Sequence, residues 1–341
     1  MKYKGINYDI GTKTVIGGIT RKTFDADIVR KEIEIIKREL HCNAVRISGL
    51  DIERIVIAAE VALQNGLTVW FSPSLHYDNQ ENTMEYIIRA AKEAEKLRSK
   101  YSNIIFVIGC ELTVFTSGFV KGETGNDRLK NIFSPLSILK HILGLKRVFN
   151  KRLNKFLNKA IGEIKKYFQG QITYASGNWE KVNWNIFDFA AVDLYRSSFN
   201  KAIYNKELEG YLMLGKPLCI TEFGCCAYKG ADDKGAIGWN IVDWKKNPPE
   251  LKGEFIRDEE VQSKYMLDLL NIFENKNVEG AFVFTFVSYN YVYNDSPKYD
   301  LDMAAYGIVR SVSIGKEVYG DGLLWMPKQA FFDLGNYFRD H

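Results

Sequence analysis

The chain reads as an α/β protein, a single (β/α)8 barrel spanning residues 1–341, and three observations predict it. Short apolar runs alternate with amphipathic segments along the full length, the pattern of strand–helix units. There are eight such runs, the number that closes a parallel barrel. The stretch from Ile10 to Gly18 forms neither GxGxxG nor GxxxxGK[ST], so an open doubly wound sheet lacks its usual phosphate turn.

The strands are expected at Lys4–Asp9, Asn43–Gly49, Thr68–Ser74, Ile104–Leu112, Ile172–Trp179, Phe189–Tyr195, Pro217–Gly224 and Glu279–Val287. Between them, apolar residues return at helical spacing. Val29, Ile33, Ile36 and Leu40 follow Asp25, a fitting N-cap, and Ile55, Ala58, Ala59 and Ala62 follow Asp51. Ile87, Ala91 and Ala94 continue the series, as do Phe149, Leu153, Phe156 and Ala160, then Val261, Tyr265, Leu269 and Ile272. A last helix is expected directly after Met326-Pro327, since proline suits a first helical turn. Thr113–Leu145 and Cys225–Arg257 are expected as long loops without regular structure after strands four and seven, where binding loops and lids occur.

An apolar share of 46% supports a sizeable core. The net charge of +4 is small for this length and calls for neither nucleic acid nor an anionic membrane as partner. The dense lysines and arginines from Lys140 to Lys166 follow a helical period and read as a solvated helix face. No apolar run approaches the roughly 18 residues of a membrane helix, and the start shows no signal-peptide pattern. Five cysteines, three of them in or beside strands, read as buried thiols of a reducing compartment, so a cytoplasmic location is expected.

Two of the apolar runs end in a glutamate, Glu111 and Glu222. Barrel enzymes carry their chemistry at strand exits. Two carboxyls meeting there suit glycosidic bond cleavage, one protonating the leaving oxygen and one facing the oxocarbenium-like carbon. The rival explanation is chance, because acidic residues are common at strand ends. Aromatic side chains at strand exits and in loops offer faces for sugar rings, with Trp179 and Trp239 the chosen stacking candidates and Trp70 assigned to the core. Asp9, Asn7 and Asp193 either bind hydroxyls or cap loops.

The segment Thr221-Glu222-Phe223-Gly224 matches the TEFG or TEWG pattern around a nucleophile, and Gly109-Cys110-Glu111-Leu112 ends strand four. In these segments and in its strand–helix order the chain resembles the retaining (β/α)8 glycoside hydrolases of clan A. The resemblance implies a carbohydrate substrate, Glu111 as general acid then base, and Glu222 as nucleophile. It further implies that Arg46 supports the nucleophile, that Tyr195 hydrogen-bonds it and that His76 contacts substrate. Two positions depart from the family pattern. Cys110 stands where an asparagine binds the sugar 2-hydroxyl, and a thiol is a weak substitute. Phe286 or Tyr289 stands where a tryptophan forms a sugar platform.

The sequence weakens other chemistries. His41, His76, His141 and His341 show no HxH or HExxH spacing, and Cys225-Cys226 is adjacent, so neither a metal nor a cofactor is expected. No GxSxG elbow is present, and Gly224 and Gly230 are too sparse for a phosphate turn. Two rivals stand beside the hydrolase. One is a carbohydrate-binding barrel without catalysis, motivated by Cys110. The other is a Schiff-base lyase or aldolase, weakened because the expected strands hold no lysine beyond Lys4.

Overall fold

A computed structural model of the chain describes residues 1–14, 17–137, 147–313, 319–320 and 322–341. Its strands are β1 (Tyr3–Asp9), β2 (Ala44–Gly49), β3 (Thr68–Pro73), β4 (Ile104–Cys110), β5 (Gln171–Gly177), β6 (Ala190–Asp193), β7 (Leu218–Phe223) and β8 (Gly280–Val283). They pair in parallel in chain order, and β8 returns to β1 to close the barrel. Around them lie α1 (Ala26–Arg38), α2 (Ile52–Gln64), α3 (Gln80–Tyr101), α4 (Leu112–Phe115), α5 (Gly125–Ile132), α6 (Val148–Ile164), α7 (Tyr204–Leu212), α8 (Glu259–Asn275) and α9 (Gln329–Asp340).

The helix starts follow local chemistry. Asp25 accepts hydrogen bonds from the N–H groups of Asp27 and Ile28, and Asp51 from those of Glu53 and Arg54, so both act as the N-caps their positions suggested. Strand residues of one parity face outward and build the layer beneath the helices, with Ile6, Val45, Ile47, Val69, Phe71 and Ile220 all buried there. The other parity fills the barrel. Tyr3, Trp70, Ile105, Phe189, Cys219 and Phe282 form the packed interior floor, and the Trp70 ring lies 4.8 Å from Phe282 and 5.4 Å from Phe189. Gly5 makes room for this floor, since a Cβ there would meet the Phe282 ring at 2.3 Å.

Trp70→Ala is therefore expected to lower unfolding stability by about 3–5 kcal/mol, the range for truncating a buried aromatic. Urea unfolding would measure it, and a loss below about 1 kcal/mol would contradict this account of the floor.

Two bulges interrupt the alternation on the strands that carry the glutamates. Val192 pairs with Ile220 but Asp193 pairs with Glu222, so Thr221 is an extra residue in β7. In β4, Val107 and Cys110 pair with Thr173 and Ala175, again one residue extra. An unbroken period of two would have placed Glu222 with the outward-facing Ile220. The bulge turns it to the inside.

Several expectations are corrected. The segment after β4 contains α4 and α5, a capping box at Thr124 and Asp127 starting the second of these, so it is not a structureless loop. Residues 138–145 of this segment, His141 among them, lie outside the described residues. After β7, short 3-10 turns and a two-stranded hairpin (Val242–Asp243 with Glu250–Leu251) replace a plain loop. Pro327 ends a short strand and does not open the last helix, which starts at Gln329. β8 stops at Val283, four residues earlier than expected. The lysines of α6 at 151, 155 and 159 are exposed, as a solvated face requires, whereas Arg147, just before α6, is buried with Nη2 donating to the Trp179 carbonyl, and Lys140 and Lys146 lie outside the described residues.

Candidate active site

Glu222 lies near the end of β7 with its side chain only partly exposed. Arg46 on β2 donates from Nη1 to Glu222 Oε1 at 2.8 Å, and Tyr195 Oη donates to Oε2 at 3.0 Å. Arg46 is itself fixed inside the barrel, its Nη1 reaching Asn7 Oδ1 at 3.1 Å and its Nε reaching Ser72 Oγ at 3.3 Å. A guanidinium so deeply buried is stable only beside negative charge, and Glu222 provides it. Gly224 follows because the backbone folds tightly there. A Cβ at that position would lie 2.5 Å from the Phe284 carbonyl oxygen.

Glu111 follows β4 and adopts a left-handed backbone, φ 44° and ψ 45°, which is strained for a residue with a Cβ. Its N–H donates to the Ala175 carbonyl and its own carbonyl accepts from Val114 and Phe115, so the turn is anchored on both sides. Among the described residues the Glu111 carboxyl has no hydrogen-bond partner. Burial pushes its pKa well above 4.5, and the charges of Asp193, Glu222 and Glu180 add to the rise. The two glutamates thus differ in kind. One is tied by an ion pair and a tyrosine, the other is unpaired and favours its protonated form.

Cys110, the residue before Glu111, turns its side chain to Asp193 and Glu222. Its thiol lies 3.3 Å from Asp193 Oδ2 and 3.5 Å from Glu222 Oε1, and its single proton serves one acceptor at a time. Burial, then the charges of Asp193 and Glu222, raise the thiol pKa well above 9.0 and keep it neutral. Asp193 is almost wholly buried, and burial followed by the Glu222 charge raises its pKa well above 3.8. Cys110, Asp193 and Glu222 bring their thiol and carboxyl atoms within 4.8 Å of one another, but a thiol kept neutral is not a metal ligand. The positive charge seen beside them is that of Arg46.

The other candidates divide. His76 is half-buried, stacks on Phe115 at 4.2 Å and offers Nδ1 to the Lys13 carbonyl at 2.9 Å. A carbonyl only accepts, so Nδ1 carries the proton and Nε2 is left as an acceptor. Burial lowers its pKa to about 4, giving a neutral ring on the β3 side of the mouth. Trp179 sits on the Glu111 side, its Nε1 donating to Thr113 Oγ1 at 3.0 Å. Trp239 is half-buried on the apolar cluster after β7, and no hydrogen bond or ring contact joins it to the carboxyl pair among the described residues. Asp9 is not brought to the site. Its oxygens cap the turn after β1, accepting from the Gly11 N–H at 2.7 Å and from Thr12 Oγ1 at 3.0 Å. Asn7 likewise spends its amide on Arg46 and on the Thr221 carbonyl.

The platform position is also corrected. Phe286 is fully buried against Trp325, and the Tyr289 hydroxyl is bound by the buried Glu32. The partly exposed ring at the β8 exit is Phe284, 6.5 Å from Tyr195 and 5.8 Å from Tyr306. Phe284 is two residues beyond the inward-facing Phe282, so a period-two count from the barrel floor could have found it.

No sequence-family profile matches the chain, and no characterised protein matches it by sequence. The structure is similar over its whole length to a GH113 β-1,4-mannanase, with a TM-score of 0.63, 16% identity and 100% of each chain covered. It is similar to the GH113 β-mannanase AaManA from Alicyclobacillus acidocaldarius at a TM-score of 0.58 and 11% identity, covering 99% of this chain and 97% of that one. Bacteroides uniformis β-glucuronidase 2 matches at a TM-score of 0.55 and 15% identity, over 91% of this chain and 33% of the larger protein. At these identities the likeness establishes the (β/α)8 fold.

Proposed function

We propose that the chain is a retaining O-glycoside hydrolase with Glu111 as general acid then base and Glu222 as nucleophile. The observation that carries this reading is the asymmetry of the pair: Glu222 held by Arg46 and Tyr195, Glu111 unpaired and raised. In the first step Glu111 gives its proton to the leaving oxygen while a Glu222 oxygen bonds the anomeric carbon. In the second, the Glu111 carboxylate takes a proton from water, which releases the sugar from Glu222. Arg46 and Tyr195 fix the nucleophile's oxygens, and His76 and Phe284 offer an acceptor and an apolar face to the sugar.

The whole-chain likeness to β-mannanases makes β-1,4-linked mannan and its oligosaccharides the first substrates to test. A cytoplasmic location belongs to the same reading, supported by five free cysteines, four of them buried. Release of reducing ends from mannooligosaccharide, measured by chromatography, tests the activity. Binding without any release would favour the non-catalytic barrel that Cys110 suggests.

The raised Glu111 pKa predicts the sign of the pH dependence. The first step needs Glu111 protonated, so kcat/KM is retained as pH rises past 4.5 and falls only as pH passes the raised value. A profile whose alkaline limb sits at or below pH 4.5 would contradict the assignment of the acid.

A further inference from the structure

Behind the Glu111 turn lies a second buried carboxylate that the reaction steps above do not use. Glu180, three residues past the end of β5, is 4% exposed. Its Oε1 accepts from Thr113 Oγ1 at 2.6 Å and from the Thr113 N–H at 3.1 Å, and its Oε2 accepts from Tyr174 Oη at 2.7 Å. Tyr174 Oη in turn accepts the Leu112 N–H at 2.8 Å. Leu112 and Thr113 are the two residues directly after Glu111, and their N–H groups are orphan donors of the first turn of α4. One carboxylate, directly and through one tyrosine, therefore satisfies both. The Trp179 Nε1 bond to Thr113 Oγ1 closes the clamp from the other side.

Glu111 needs such a clamp, because a left-handed backbone at a non-glycine residue persists only where its surroundings hold it. We propose that Glu180 is a positioning residue for the acid, clamping the turn that aims the Glu111 carboxyl at the leaving oxygen. The proposal rests on the glycosidase reading and adds to it a residue that touches no substrate. Burial raises Glu180 to about pH 7, in keeping with a carboxyl enclosed by protein. A misaimed acid slows reactions that need a proton on the leaving group. It spares those whose leaving group departs unprotonated.

The test is kcat/KM for Glu180→Gln and Tyr174→Phe on two glycosides of the same sugar, an oligosaccharide and a dinitrophenyl glycoside. Glutamine keeps the shape but presents an N–H to Tyr174, and phenylalanine removes the relay by one hydroxyl. Either variant with a retained thermal midpoint is sufficient should the other fail to fold. The expected result is a loss of about 10–100-fold on the oligosaccharide with less than about threefold on the dinitrophenyl glycoside. Equal losses on both, or no loss on either, would overturn the clamp while leaving Glu111 and Glu222 as the catalytic pair. A wild-type protein that turns over neither substrate would overturn the glycosidase reading, and the clamp with it.

Discussion

Glu222→Gln is expected to lower kcat/KM on the oligosaccharide by on the order of 10⁴-fold or more, the scale of losing a covalent nucleophile. Glutamine is the substitution of choice because its one amide oxygen can still accept from Arg46, while its NH2 group faces the Tyr195 hydroxyl, which can accept from it. Alanine would strand a buried guanidinium, which costs about 3–5 kcal/mol and confuses activity with folding. A residual rate within about tenfold of wild type, at matched thermal midpoint, would show that Glu222 is not the nucleophile. The substitution is also expected to abolish the covalent sugar adduct that intact-mass spectrometry detects with a slow-reacting 2-fluoro glycoside.

Glu111→Ala is expected to give a different pattern, because the two jobs proposed for Glu111 fall in different steps. On the oligosaccharide kcat/KM drops by about 10²–10⁴-fold, the usual worth of a positioned acid. On a dinitrophenyl glycoside the first step survives, and the enzyme accumulates as the glycosyl adduct because no base activates water. Azide, which needs no base, then restores turnover and yields a glycosyl azide that chromatography separates. Equal losses on both glycosides without azide rescue would remove Glu111 from the mechanism. The carboxyl of Glu111 makes no hydrogen bond among the described residues, so its removal leaves no partner unsatisfied and the variant is expected to fold.

The barrel was legible because each of its eight strands is a short apolar run, and strands buried on both faces look the same in any protein. Both glutamates were legible by position at strand ends. That they face the same interior was not. By alternation Glu222 belongs with Ile220 on the outer face, and only the bulge at Thr221 reverses it, a feature with no residue signature here. Asp9 shows the converse. It sits at a strand exit like the others, yet its turn consumes both carboxylate oxygens. Phe284 was missed because Glu279–Val287 read as one long strand, which moved the exit to Phe286 and beyond. Glu180 gave no signal, since nothing in a glutamate beyond a strand end announces that it will be buried under Thr113.

The Cys110 thiol bonds to Asp193, which carries its own raised pKa. The environment beside Glu222 is therefore built from a thiol and a buried acid held together by position on β4 and β6.

Retention at the anomeric carbon through Glu222 is tested most directly by the stereochemistry of the first product. Proton NMR during hydrolysis of a β-1,4-linked mannooligosaccharide, read before mutarotation, reports the configuration of the new reducing end. Two displacements predict that the β-anomer appears first and the α-anomer only later, as solution equilibrium is reached. First appearance of the α-anomer would mean a single displacement by water, and Glu222 could not be the nucleophile.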